Sequence, residues 1–161
     1  MAVFYQTYRP KNFSEVIGQE SAIRTLQQGV VNGKVGHAYL FTGSRGIGKT
    51  TLARILAKAV NCNNLKDGDP CGVCPICTAI ANGSFLDCIE IDAASHTGVD
   101  NIRELIEHIK FQPTYGRTKV FVIDEVHMLS KAAEAALLKT LEEPPPHVVF
   151  VLATTDPQKM S

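Results

Sequence analysis

The chain has no excess of charge of either sign: sixteen Lys and Arg stand against sixteen Asp and Glu in 161 residues. It therefore lacks the overall field of a protein that grips nucleic acid non-specifically, so any DNA contact must come from a local patch or an assembly. Long hydrophobic runs are missing as well. The longest, VVFVLA at 148–153, is far too short to span a bilayer. The opening MAVFYQTYRPKNF holds no apolar core of signal-peptide length. Internal repeats and low-complexity segments are absent. The expectation is a soluble, cytoplasmic chain with no membrane partner. Apolar residues at 45% and charged residues at 20% give a globular composition, and the length suits one domain with a proper core.

What is present alternates between strand and helix signals. YQTYRPKNFSEVIGQE is polar and proline-interrupted, and reads as an arm or loop ahead of a helix from Glu20 to about Asn32, where Ile23, Leu26 and Val30 fall at helical spacing. HAYLFTG (37–43) is a short apolar strand. Thr50 to Val60 is helical, with Leu52, Ile55, Leu56, Ala59 and Val60 on one face. LDCIEID (86–92) is a second strand. Thr97 and Asp100 form a capping box for a helix striped by Val99, Ile102, Leu105, Ile106 and Ile109, which should stop near Phe111 because Pro113 follows. KVFVIDEV (119–126) and HVVFVLATT (147–155) are further strands, separated by a helix capped by Ser130 and running through Leu141. The strands are apolar throughout, which implies a parallel sheet covered on both faces.

GSRGIGKT (43–50) fits G-x-x-x-x-G-K-[ST]. Gly43, Gly46 and Gly48 let the backbone curl so that N–H groups across Ser44, Arg45, Gly46 and Ile47 point at phosphate oxygens. The helix that follows presents its N-terminal amides to the same anion. Lys49 would reach the β- and γ-phosphates, Thr50 would place its hydroxyl on magnesium, and Thr51 joins the nucleotide-binding set.

VFVIDEVH places Asp124 and Glu125 at the carboxyl end of an apolar strand, which faces the ligand crevice in an open parallel sheet. Asp124 suits a magnesium holder acting through water, and Glu125 suits the group that orients or deprotonates the attacking water. His127 completes DEVH, the shape of a DExH box. The further motifs of that helicase class are not found, and His127 reads as a packed or hinge histidine. LATTD puts Thr154 and Thr155 beside the acids. Either a hydroxyl there bonds the attacking water or the γ-phosphate, or the threonines simply end a strand.

Cys62, Cys71, Cys74 and Cys77 are spaced C-x8-C-x2-C-x2-C in a segment rich in Asn, Asp, Gly and Pro, a loop composition. Four thiolates with no open position describe a structural tetrahedral zinc site. Disulfides are disfavoured in a cytosolic chain. An iron–sulfur cluster is the rival, but the ferredoxin run continues C-x3-C-P, whereas TAIANG follows Cys77 here. Closed thiolates beyond the helix that follows the phosphate loop would hold an inserted knuckle and take no part in hydrolysis. Cys88 reads as a small buried core residue.

Together, YRPKNFSEVIGQE, HAYLFTGSRGIGKTTLARILAKAVNC, CGVCPIC, IEIDAASHTGVDNIREL, VFVIDEVHMLS, LLKTLEEPP and LATTDPQK resemble the N-terminal ATPase region of the gamma/tau family of bacterial DNA polymerase III clamp-loader subunits, almost from end to end. The resemblance implies a three-layer α/β P-loop domain of the AAA+ type over residues 1–161, with a zinc insertion at about 61–80. It implies a base pocket from Tyr8, Arg9, Val16 and Ile17, the sensor-1 position at Thr155, and ATP, magnesium and zinc as cofactors. Partners would be the other clamp-loader subunits, the sliding clamp and, through the assembly, primed DNA. The family pattern runs on past Ser161 into a fifth strand with a Ser-Arg-Cys motif, a helical lid and a collar. That arginine acts on a neighbour's nucleotide, a contribution of roughly 10³ to 10⁵ in related chemistry, so slow hydrolysis is expected of this stretch alone. An exposed sheet edge along the phosphate-loop strand, prone to self-association, is expected too. The alternatives are a helicase or branch-migration motor, a sister subunit without ATPase activity, and a purely structural zinc module.

Overall fold

The computed structural model describes residues 10–16, 20–43, 48–95 and 99–159. The predicted Tyr8, Arg9, Ile17, Ser44, Arg45, Gly46, Ile47 and Thr97 lie outside the described residues. The chain forms two compact units, one of Met1–Val35 with Thr51–Phe85 and one of Gly36–Thr50 with Leu86–Ser161.

The second unit is built on a four-stranded sheet. Strands β1 (Ala38–Thr42), β2 (Cys88–Asp92), β3 (Lys119–Asp124) and β4 (Val148–Thr154) pair in the order β1-β4-β3-β2. Every pairing is parallel. The register aligns the carboxyl ends, with Thr42 opposite Thr154 and Asp92 opposite Asp124. Helix α4 (Val99–Ile109) joins β2 to β3, and α5 (Lys131–Glu142) joins β3 to β4. Their apolar stripes pack on the sheet: Ile102, Leu105 and Ile109 from α4 and Ala133 and Leu137 from α5 share one core with Phe121, Ile123, Phe150 and Leu152. The Phe121 and Phe150 rings stack at 5.6 Å. Burying each such ring contributes about 1.5–3 kcal/mol.

The expectation of strands covered on both faces holds for β3 and β4 alone. All of β4 is buried, as is β3 up to Asp124. The flanking β1 and most of β2 alternate between partly buried and exposed positions, the pattern of a strand with one face less covered than the other. Leu40 is consequently 49% exposed. Cys88, expected in the core, is only half-buried on β2. Ahead of β3, the wholly buried Asp87 carboxylate accepts the N–H groups of Thr114, Tyr115 and Gly116 at 2.6–2.7 Å and fixes the entry of that strand. Strand β3 stops at Asp124, two residues short of the run read from sequence. Glu125 adopts a left-handed φ of 53° and turns the chain into a 3-10 turn over Val126–Met128.

In the first unit, α1 (Glu20–Val31) buries Ile23 and Leu26. Helix α2 (Lys49–Asn61) starts in the second unit and continues in the first from Thr51. The predicted face of Leu52, Ile55, Leu56 and Ala59 is buried, and so are Ala53, Ala57 and Lys58, a wider band than the apolar stripe. The segment read as an arm is docked. Phe13–Glu15 form a 3-10 turn capped by the Asn12 side chain, with Phe13 fully buried.

The cysteine segment is more ordered than its composition suggests. Lys66 and Asp69 exchange backbone hydrogen bonds across a tight turn whose central residues, Asp67 and Gly68, both have positive φ, as a type I′ turn requires. A Cβ on Gly68 would come within 3.0 Å of the Gln27 carbonyl and 2.9 Å of Val31, so only glycine lets the turn lie against α1. Helix α3 (Pro75–Ala81), read as loop from sequence, begins with Cys74 as its N-cap and Pro75 in the first turn. Proline there stands where no intrahelical N–H is needed, so it starts this helix instead of breaking it.

Candidate active site and metal centre

Three adjacent strand ends in the second unit bring the predicted phosphate and acid residues to one edge of the sheet. Gly43 leaves β1 with φ 143° and Gly48 enters α2 with φ 82°, conformations that glycine alone adopts readily. Lys49 opens α2 and is buried, and its Nζ donates to the Gly43 carbonyl at 3.1 Å. That bond ties the start of α2 back to the end of β1. Thr50 and Thr51 follow in the first turn, partly buried.

Asp124 ends β3, and its Oδ1 accepts the Glu125 N–H at 2.9 Å. Burial pushes its carboxyl above the ordinary range. The Glu125 N–H pulls it back, the charges of Glu125 and Asp92 push it up again, and the Lys49 ammonium lowers it. Two further carboxylates around a half-buried one leave this corner short of positive charge, which suits a cation. Asp92 was not singled out from the sequence. Its signal was there, since IEID, like VFVID, is a strand that closes on an aspartate, and parallel register sets the two acids side by side.

Glu125 is held by its neighbours. Its side chain is 17% exposed, and Oε2 accepts the Thr155 hydroxyl at 3.0 Å. The left-handed backbone at Glu125 costs roughly 1–2 kcal/mol for a residue with a Cβ. It turns the side chain out of the strand pattern and across to β4. Of the two threonines considered, Thr155 meets the acid, whereas Thr154 is fully buried and takes the Asp156 N–H at 3.0 Å. His127 is packed, as read from sequence. It also faces Glu125, its Nε2 3.6 Å from Oε2.

In the first unit the four cysteines converge, their sulfurs all within 4.8 Å of one another. A tetrahedral zinc with bonds near 2.3 Å needs sulfurs about 3.8 Å apart, so small adjustments suffice. Backbone N–H groups face the sulfurs: Asn64 and Cys71 donate to Cys62, Val73 and Cys74 to Cys71, and Cys77 to Cys74, at 3.2–3.5 Å. The N–H groups of Val73 and Cys74 lower the Cys71 thiol. Burial pushes Cys74 up, but the N–H groups of Cys77 and Asn63 outweigh it and bring that thiol down to about 6. Burial pushes Cys62 and Cys77 up. Four soft donors, closed off and supplied with N–H groups, fit zinc. Among the described residues no helix is long and apolar enough to cross a membrane.

A family model described as DNA polymerase III, delta subunit, matches residues 18–161. The chain belongs to this DNA polymerase III family. Within the family it is similar to subunits named tau and gamma: 54% identical to the DNA polymerase III subunit tau of Bacillus subtilis over 97% of this chain and 28% of that one. Against the subunit tau of Escherichia coli the identity is 53%, over 98% of this chain and 25% of that one. The chain thus spans about a quarter of the length of these relatives. Among solved structures, a DNA polymerase III gamma subunit-related protein of Thermotoga maritima superposes with a TM-score of 0.64 at 23% identity, covering 86% of this chain and 40% of that one. The RuvB Holliday junction branch migration motor of Thermotoga maritima superposes with a TM-score of 0.63 at 23% identity, covering 96% and 44%. At that identity the two show the fold alone, a parallel α/β sheet with its helices.

Proposed function

We propose that this chain is the ATP-binding and hydrolysing motor core of a clamp loader, which places the sliding clamp on primed DNA during replication. The observation that carries the reading is the pairing of Glu125 with Thr155 on adjacent strand ends, in the same unit as Lys49, which is bonded to the Gly43 carbonyl at the end of β1. A subunit that only filled a place in the assembly would have no use for these groups together.

Lys49 exchanges the Gly43 carbonyl for the β- and γ-phosphates, while Ser44–Ile47 and the first turn of α2, Thr50 and Thr51 included, offer N–H groups to the same oxygens. Thr50 and Asp124 would hold magnesium, which neutralises charge on the phosphate oxygens. Glu125 takes the proton of the attacking water, and Thr155, at the sensor-1 position, orients that carboxylate. Tyr8, Arg9, Val16 and Ile17 form the base pocket. Cys62, Cys71, Cys74 and Cys77 hold zinc, which stabilises an insertion at about 61–80 within one nucleotide-binding domain over 1–161. The partners are the other clamp-loader subunits, the clamp and primed DNA gripped by the assembly, and the setting is cytoplasmic.

The test compares ATP binding and hydrolysis by the wild type, Lys49→Ala and Glu125→Gln, alone and with the other subunits, clamp and primed DNA. Lys49→Ala should lose binding. Glu125→Gln should keep binding and lose about 10²-fold or more in rate. Hydrolysis that ignores clamp and primed DNA but follows a branched or duplex substrate would instead favour a branch-migration or helicase motor on the same fold.

A further inference from the structure

Glu125 is reached by a chain of polar contacts that runs back into the interior of the second unit. Thr154, fully buried at the end of β4, accepts the Asp156 N–H at 3.0 Å. Its oxygen lies 2.7 Å from Nδ1 of His127. A buried hydroxyl has one proton to give. Among the described residues Nδ1 is the acceptor at hand, so Thr154 donates there and Nδ1 carries no hydrogen. With Nδ1 bare, the ring hydrogen stands on Nε2, which faces Oε2 of Glu125 at 3.6 Å. That distance is just beyond hydrogen-bond length, and a shift of a few tenths of an ångström in the carboxylate closes it. The imidazole is only 7% exposed, so little water competes for that proton.

We propose that His127 is a positioning residue for Glu125: with Thr155 it ties down Oε2 and leaves Oε1 as the oxygen that takes the proton from water. The proposal rests on the reading of Glu125 as the hydrolytic base. Among the described residues, Oε2 accepts the Thr155 hydroxyl and faces Nε2 of His127, and no donor meets Oε1. Once the His127 proton joins the Thr155 hydroxyl on that oxygen, the carboxylate cannot rotate freely, and its second oxygen keeps one direction. Thr154 then selects the tautomer and the histidine in DEVH selects the oxygen, with no proton exchanged by the ring itself.

Two substitutions separate positioning from packing. His127→Asn keeps a polar group where Nδ1 stands, toward Thr154, and removes the donor to Glu125. His127→Gln places an amide N–H near the position of Nε2. Single-turnover ATP hydrolysis, nucleotide affinity and thermal midpoint are measured for each, with Lys49→Ala as the blank. His127→Asn should lower the rate about tenfold at saturating ATP with affinity within twofold, and His127→Gln should recover most of the loss. Equal rates for wild type and His127→Asn, or parallel losses of rate, affinity and midpoint in both variants, would overturn the proposal. A wild-type rate no greater than that of Lys49→Ala would sink the nucleotide reading instead. Nitrogen NMR of the ring decides without any turnover. A proton on Nε2 that moves to a mixture of tautomers in Thr154→Val is expected, and a ring protonated on Nδ1 in the wild type refutes the proposal.

Discussion

The Asp69 carboxylate accepts the backbone N–H of Phe13 at 2.9 Å, across 56 positions of sequence. Its other oxygen takes the Ser14 hydroxyl, and Gln27 of α1 donates to the first at 3.4 Å. Asp69 stands in the turn between Cys62 and Cys71, two of the four converging thiols. The thiol cluster and the short segment that leads to Val16 are therefore parts of one construction. This gives the cysteine insertion a task inside its own unit: to present a carboxylate that pins the chain ahead of α1.

The first prediction follows from that bond. Asp69→Ala removes the acceptor of the Phe13 N–H and of the Ser14 hydroxyl, and each hydrogen bond to a charged group contributes about 1.5–3 kcal/mol. Hydrogen exchange of the amides of Phe13, Glu15 and Val16 should accelerate by one to two orders of magnitude, while the core amides of β3 and β4 keep their protection. Stripping metal from the wild type should loosen the same three amides. If their exchange is unchanged in both experiments, Asp69 is not what holds the segment.

The second prediction concerns pH. Without metal, the raised Cys62 and Cys77 remain thiols near neutral pH, Cys74, lowered to about 6, supplies a thiolate, and backbone N–H groups draw Cys71 the same way. Zinc must displace the protons of the first pair, so its affinity should rise with pH by about tenfold per unit for each proton released. Below about 6 the Cys74 thiolate is protonated too, and the dependence steepens. The metal-free protein behaves differently. The depressed Cys74 gives stability that is present above the unfolded thiol range and lost as pH falls through about 6, whereas the raised Cys62 and Cys77 give stability that is present at low pH and lost as pH rises through their folded values. Competition against a chromogenic chelator at several pH values checks this, and a flat profile from pH 6 to 8 would count against it.

Much of the site can be read from sequence because its signals are local. The phosphate loop, the acids closing an apolar run and the x2 spacing of the cysteines are patterns within a few residues, and backbone geometry follows from them directly. The features that escaped are made between distant residues or against composition. His127 meets Glu125 only because the backbone turns left-handed at 125, and its ring is fixed by Thr154, 27 positions away on the neighbouring strand. Asp92 joins the acids through parallel register. Helix α3 hides in a segment whose proline and glycines read as breakers, since the same residues also start helices and close turns. Cys88 looks like core until strand order places it at a sheet edge.

The third prediction sets stability against function at Asp124. This carboxyl is raised by burial, and the neighbouring charges of Glu125 and Asp92 add to the effect. A carboxyl whose folded pKa is raised contributes most below its unfolded value, and that contribution is lost as pH rises and the group ionises. At neutral pH the ligand-free protein therefore carries an unfavourable charge that a bound cation would offset. Asp124→Asn removes the charge and keeps Oδ1 as acceptor for the Glu125 N–H. Its thermal midpoint without nucleotide should rise, on the order of a degree or two for a chain of this size, with the gain vanishing toward pH 4. The same variant should lose magnesium-dependent hydrolysis and the extra stabilisation that magnesium and ATP together give the wild type. Calorimetry with and without the two ligands reads both effects. A variant that is less stable than wild type at neutral pH, or one that is still stabilised by magnesium with ATP, would show that Asp124 is a structural acid and that the cation is held elsewhere.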